Sequence, residues 1–207
     1  MRFLALGDSY TIGEGVAAAE RWPNQLVELL RARGIAMSDP ELIARTAWTT
    51  DELMDAIDEA RPTGPFDLVT LLIGVNDQYR SRPIDHFESG FGPVLDQAIG
   101  FARGGAARLI VVSIPDWGAT PFAEGRDRAL ITREVGDYNA AARALTAQRG
   151  AHWHDVTESS RRMLEDPSLV VSDGLHPSGA MYARWAASMV PVAEKILGRS
   201  ADATARA

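Results

Sequence analysis

A chain of 207 residues with 46% hydrophobic and 24% charged residues suits one globular domain that buries its own core without staples. Lys and Arg total 21 against 28 Asp and Glu, a net charge of −7, and no basic run is interleaved with aromatics, which argues against nucleic acid as a partner because phosphate binding needs clustered positive charge. The absence of Cys excludes disulfides, thiolate nucleophiles and thiolate metal sites.

Short apolar runs alternate with longer stretches of helical period. The first strand is expected at 3–6, fed directly by Met1, and a helix at 23–33 stops at Gly34. A strand at 42–44 follows, then a helix at 50–60 stopped by Pro62. Residues 68–73 (LVTLLI) and 109–114 (LIVVSI) are nearly continuous apolar runs, as in strands buried on both faces, with a helix at 85–103 between them. A helix at 127–149 ends at Gly150, and a weaker strand is expected at 152–156. The last helix, 178–197, ends at Gly198 and carries Met181, Trp185, Ala186, Met189 and Val192 on one face, the spacing of core packing. Gly and Pro at these ends are what a helix stop needs. The alternation predicts an α/β domain over 1–198, a parallel sheet of about five strands covered by helices, with a frayed tail at 199–207. No basic and apolar leader precedes the first strand and no apolar run reaches about 18 residues, so a soluble cytoplasmic protein without a membrane partner is expected.

In an open parallel sheet ligands gather outside the carboxyl ends of the strands. The residues placed there are Gly7-Asp8-Ser9-Tyr10, Thr46-Ala47-Trp48-Thr49-Thr50, Gly74-Val75-Asn76-Asp77 and Pro115-Asp116-Trp117-Gly118. Before the last helix stands Asp173-Gly174-Leu175-His176-Pro177, a turn in which a carboxylate can meet the imidazole of its own loop and make a base with its orienter. Read singly, each of these is ordinary turn or cap material. Their occurrence in order, each at a strand or loop end, is what favours chemistry.

Gly7-Asp8-Ser9, Gly74-x-Asn76-Asp77 and Asp173-x-x-His176 resemble blocks I, III and V of the GDSL, or SGNH, hydrolase family, and span nearly the whole chain. The resemblance implies the SGNH hydrolase fold, a flavodoxin-like three-layer α/β/α sandwich. It implies Ser9 as nucleophile, His176 as general base and Asp173 as its orienter. The oxyanion hole would be the backbone N–H of Ser9, the backbone N–H of Ala47 in block II and the side-chain amide of Asn76. Asp8 is then a loop tie and not the triad acid, and Ser9 opens a helix whose start favours developing negative charge. The motif is not the Gly-x-Ser-x-Gly elbow of α/β-hydrolases, since Thr11 stands where the second Gly would be.

Block II departs from the family pattern, with Ala47 in place of the usual Gly. An Ala still offers its N–H, yet a positive φ there would cost it about 1 kcal/mol or more. Tyr10, Trp48 and Trp117, with Pro115 and Phe122, are candidate lining residues of a shallow cleft. The implied reaction is hydrolysis of a small, short-chain acyl ester, with a sugar O-deacetylase, thioesterase or lysophospholipase as alternatives sharing the triad. Neither metal nor organic cofactor is needed. His152 and His154 alternate on a strand, but two His without a third ligand are better read as structural. A noncatalytic α/β ligand-binding module is the rival from another class, and lacks support in any phosphate-cradling loop.

Overall fold

The computed structural model describes the backbone of residues 1–204 and the side chains of residues 1–198. Five strands, β1 (Phe3–Gly7), β2 (Glu41–Ala44), β3 (Leu68–Leu72), β4 (Leu109–Val112) and β5 (His152–His154), form one parallel sheet in the order β2-β1-β3-β4-β5. The helices are α1 (Ser9–Ile12), α2 (Trp22–Arg31), α3 (Thr50–Ala60), α4 (Val75–Tyr79), α5 (Ile84–Phe101), α6 (Arg128–Gln148), α7 (Thr157–Ser160) and α8 (Gly179–Thr204). Helices α2 and α8 pack together on one face, and α3, α5 and α6 pack on the other, giving the expected α/β/α sandwich. Among the described residues no helix is long and apolar enough to cross a membrane.

The three central strands are fully buried, which their apolar runs demand: covered on both faces, they have no solvent side for an alternating polar residue. Edge strands β2 and β5 are only half-buried over most of their length, and β5 carries His152 and His154 accordingly. Phe3 to Leu6, Leu68 to Leu72 and the α8 residues Met181, Trp185, Ala186 and Met189 all belong to one core. Helix α3 has the ends expected from its sequence. Thr49 and Glu52 close a capping box at its start, with the Thr49 N–H donating to Glu52 Oε2 at 2.9 Å.

The differences from the sequence reading have local causes. Strand β4 stops at Val112 because the Ile114 N–H is taken by Asn139 Oδ1 (2.8 Å) instead of a neighbouring strand. Strand β5 stops at His154 because the Val156 N–H donates to Ser113 Oγ (2.8 Å). Helix α8 does not end at Gly198 but continues to Thr204; of the tail expected at 199–207, residues 205–207 lie outside the described residues. Short helix α4 occupies the segment read as a plain turn after β3.

The topology fixes the position of the chemistry. Connections leave β1 and β3 in opposite directions, the first toward β2 and the second toward β4, so a crevice opens at their carboxyl ends. Segments beginning at Asp8 and Ile73 emerge there side by side, since Gly7 is in register with Leu72.

Candidate active site

The segment after β1 turns without room for any side chain at Gly7, where a Cβ would run into the Thr11 hydroxyl and the Leu72 carbonyl. Asp8 then caps α1: its Oδ1 accepts from the Tyr10 N–H at 3.0 Å and its carbonyl accepts from the N–H groups of Thr11 and Ile12. This places Ser9 as the first residue of a single helical turn, only 4% exposed, with its hydroxyl facing the loop before α8. Asp8 is the loop tie expected of it. Its other oxygen, Oδ2, has no hydrogen-bond partner among the described residues, and complete burial pushes the carboxyl up to about 8, with the charge of Asp77 adding to the rise and backbone hydrogen bonds, that from Tyr10 first, opposing it.

That shift makes a stability prediction. Between about 4 and 8 the unfolded chain has released the Asp8 proton while the folded protein keeps it, so stability falls as pH rises across this window. Asp8→Asn retains an acceptor for Tyr10 and removes the ionisation. Its denaturation midpoint should exceed the wild-type value at pH 8 and decline less between pH 5 and 8; identical slopes for the two proteins would contradict the burial argument.

Opposite Ser9, the loop before α8 folds on its own carboxylate. Asp173 Oδ1 accepts from the N–H groups of Leu175 (2.7 Å) and His176 (2.9 Å), and Oδ2 lies 2.6 Å from His176 Nδ1. The other ring nitrogen, Nε2, is 2.9 Å from Ser9 Oγ. Gly174 takes the left-handed conformation this turn requires (φ 72°), and its carbonyl accepts from the Phe122 N–H at 2.9 Å, which fastens the loop to the segment after β4. Burial pushes the Asp173 carboxyl up, but the hydrogen bonds from the His176 ring and from the two backbone N–H groups outweigh it, and the group is held below the ordinary carboxylate range. A carboxylate on Nδ1 leaves Nε2 as the acceptor for the Ser9 proton, the tautomer a general base needs.

The remaining rim is built by the loop between β2 and α3 and by α4. Ala47 sits at φ 71°, the strained conformation that a Gly would adopt freely. Its carbonyl accepts from Arg80 Nη2 at 2.7 Å, and Arg80 also pairs with Glu52 at 3.2 Å. Asn76 Nδ2 donates to the Trp48 carbonyl at 2.9 Å, an arrangement that fixes the amide plane of Asn76 beside Ala47 and Ser9 at the same cleft. Ala47→Gly relieves the backbone strain, so turnover should be retained or raised while the Ala methyl leaves the cleft. A large loss of kcat in the folded variant would remove Ala47 from the oxyanion site.

Asp77, which has no role expected of it beyond the motif, is fully buried and ties α4 to α3: it accepts from Thr50 N and Thr50 Oγ1, both at 3.0 Å, and from Arg82 Nη1 at 3.0 Å. Burial raises its carboxyl despite these bonds. Arg82, five residues on, was the available signal for a buried carboxylate.

Ser9 and His176 open into a cleft of about 200 Å³. Of the candidate lining residues, Tyr10, Trp117 and Phe122 border it, and Tyr79 and Leu175, not among those candidates, border it too. Trp117 is held by a bond from its Nε1 to Gln78 Oε1 (2.7 Å), and Gln78 in turn donates to Glu134 (2.8 Å). Trp48 and Pro115 do not line the cleft: Trp48 packs against the core, and Pro115 is buried. Trp48 contributes its carbonyl, which binds Asn76, because its backbone and not its ring faces the rim. Away from the cleft, His154 Nε2 contacts Ser188 Oγ at 2.9 Å, and among the described residues no three His, Asp or Glu side chains are grouped to hold a metal.

A five-stranded parallel α/β/α sandwich with a hydroxyl, an imidazole and a carboxylate in one hydrogen-bonded line at its strand ends falls in the class of ester-bond hydrolases. Within that class the chain belongs to the GDSL-like lipase/acylhydrolase family, whose sequence profile matches residues 5–184. Solved structures of similar fold include a lipolytic protein of the G-D-S-L family from Veillonella parvula (TM-score 0.74, 15% identity, covering 93% of this chain and 97% of that one). The psychrotrophic esterase EstA from Pseudoalteromonas (0.71, 16%, 95% and 98%) and the acetylxylan esterase Axe2 from Geobacillus stearothermophilus (0.68, 17%, 95% and 94%) share it as well. No curated protein matches the sequence.

Proposed function

We propose that the protein is a serine esterase that cleaves short-chain acyl esters through an acyl-enzyme. The observation that carries this reading is the line Ser9 Oγ, His176 Nε2, His176 Nδ1, Asp173 Oδ2, with separations of 2.9 and 2.6 Å at its two hydrogen bonds. Ser9 attacks the ester carbonyl as His176 takes its proton, and Asp173 holds the imidazole and stabilises the imidazolium. The tetrahedral oxyanion is received by the N–H groups of Ser9 and Ala47 and by Asn76 Nδ2. His176 then gives its proton to the leaving alcohol, and a water activated by the same imidazole releases the acid and restores Ser9.

The modest volume of the cleft supports small acyl groups over long-chain lipids. The test is hydrolysis of p-nitrophenyl esters from acetyl to long acyl chains. Highest kcat/KM at two to four acyl carbons is expected, on the order of ten times that for a long chain. A flat profile, or an optimum at long chains, would remove the short-chain reading.

The sugar O-deacetylase alternative rests on the aromatic wall of Tyr79, Trp117 and Phe122, which offers faces on which a pyranose can stack. Release of acetate from an acetylated oligosaccharide, at a kcat/KM above that for p-nitrophenyl acetate, would favour it.

A further inference from the structure

We propose that Arg126 makes an anion-binding rim on this cleft, so that the preferred substrates are esters bearing a second, anionic group, a carboxylate or its equivalent, separated from the scissile ester by a short apolar stem. The inference rests on the esterase reading and names the substrate class for the same site.

Tyr79, Trp117 and Phe122 form a continuous aromatic wall: Trp117 lies 5.4 Å from Tyr79, edge on, and 6.1 Å from Phe122 between ring centroids. All three line the cavity that opens on Ser9. The guanidinium of Arg126 is centred over this wall, its Cζ 4.9 Å from the Phe122 centroid and 5.6 Å from those of Tyr79 and Trp117. Attraction to ring faces consumes none of the five N–H donors of a guanidinium. Among the described residues the one polar side-chain contact of Arg126 is a long one, from Nη2 to the Tyr79 hydroxyl at 3.5 Å.

The surrounding arginines are engaged elsewhere. Arg80 is bound to the Ala47 carbonyl and Glu52, Arg82 to Asp51 and Asp77, and Arg128 to the Gly118 and Thr120 carbonyls. Among the described residues no carboxylate is paired with Arg126, although the chain carries a net charge of −7. An exposed cation in an acidic protein, held over three of the rings that line the cavity of Ser9, is placed to attract an anion. The backbone that carries it is anchored to the site. Phe122, four residues earlier, is tied through its N–H to the Gly174 carbonyl in the loop that carries Asp173 and His176, and the Arg126 N–H donates to Ala123 O at 3.1 Å. A carboxylate accepting two N–H groups from the guanidinium gains both charge and geometry.

The experiment compares kcat/KM for two anionic esters with those for neutral partners, in wild type and in Arg126→Ala and Arg126→Lys. The mono-p-nitrophenyl ester of glutaric acid, set against p-nitrophenyl butyrate, carries the anion on the acyl side. Acetoxybenzoate, set against phenyl acetate, carries it on the leaving side. At least one anionic ester should be preferred by wild type, and that preference should fall about fivefold to tenfold in Arg126→Ala, mainly through KM, with partial retention in Arg126→Lys and weakening by added salt. The side on which the effect occurs gives the direction in which the substrate lies. Equal losses on anionic and neutral esters would mean that Arg126 only packs the wall, and no anionic preference on either side overturns the proposal. Binding of monomethyl glutarate to Ser9→Ala, measured by calorimetry with and without Arg126→Ala, needs no turnover. Arg126-dependent binding in a protein whose wild-type form is inactive on every ester would uphold the anion site and defeat the esterase reading, and turnover of neutral esters with no Arg126-dependent binding would do the reverse.

Discussion

Ser9→Ala and His176→Ala should each lower kcat by about 10⁴-fold or more, to the level of uncatalysed hydrolysis plus whatever binding alone provides. The two residues act on one proton across a 2.9 Å contact, so losing either removes the same step, and the double variant should be little worse than the worse single one. Asp173 differs. Its side chain is 41% exposed, so water can take over part of its interaction with Nδ1 once the carboxylate is gone, and Asp173→Ala should lose about one to two orders of magnitude less than Ser9→Ala. Asp173→Asn should be the harsher change: its amide oxygen can still accept from Leu175 and His176 N–H, but its NH2 then faces Nδ1 and favours the tautomer with the proton on Nε2, which cannot accept from Ser9. Steady-state kinetics on p-nitrophenyl acetate reads all of these. Persistent turnover in Ser9→Ala would mean that the nucleophile lies elsewhere, and equal losses from all three would mark a fully coupled triad.

Asn76→Ala is expected to reduce kcat by about 10² to 10³, with KM nearly unchanged, because a donor aimed at the oxyanion acts on the transition state and hardly on the ground state. One amide hydrogen of Asn76, a residue that lines the cleft, is held by the Trp48 carbonyl, and the same nitrogen carries a second hydrogen that a substrate oxygen can accept. The same variant also loses that bond to Trp48, about 1 kcal/mol of stability. A parallel melting measurement keeps this effect apart from catalysis. A kcat within tenfold of wild type in a folded Asn76→Ala protein would exclude Asn76 from oxyanion stabilisation.

The elements that were legible in the sequence are those whose cause is local. Leu68 to Leu72 and Leu109 to Val112 declare themselves by nearly continuous apolarity, and α3 by its helical period and the Pro62 stop. Ser9, Asn76, Asp173 and His176 stood out because each lies in a short motif just past a strand or in a loop, and the structure brings Ser9, Asn76 and His176 to one cavity. Helix α4 was not legible: its five residues follow Gly74, whose φ of 120° is imposed by packing, since a Cβ there would meet the Phe87 ring at 2.6 Å. The meeting of the Trp48 carbonyl with Asn76 joins positions 28 residues apart, and that of Arg126 with Tyr79 positions 47 residues apart, and no spacing rule reports such loop paths. Ala47 is intermediate. The departure from Gly was visible, and the positive φ that gives it significance comes from the fold.

Ser9 and His176 are 167 residues apart in the chain, and the loop bearing His176 is held in place by α8, which lies along α2 with Gln25 Nε2 donating to the Gly179 carbonyl at 3.0 Å and Arg33 paired with Glu194 at 3.4 Å. Contacts of such long sequence separation form late, after the loops they close have been ordered. Ester turnover during refolding should therefore lag behind the recovery of helical circular dichroism, which makes enzymatic activity a clock for the docking of the last helix on the second.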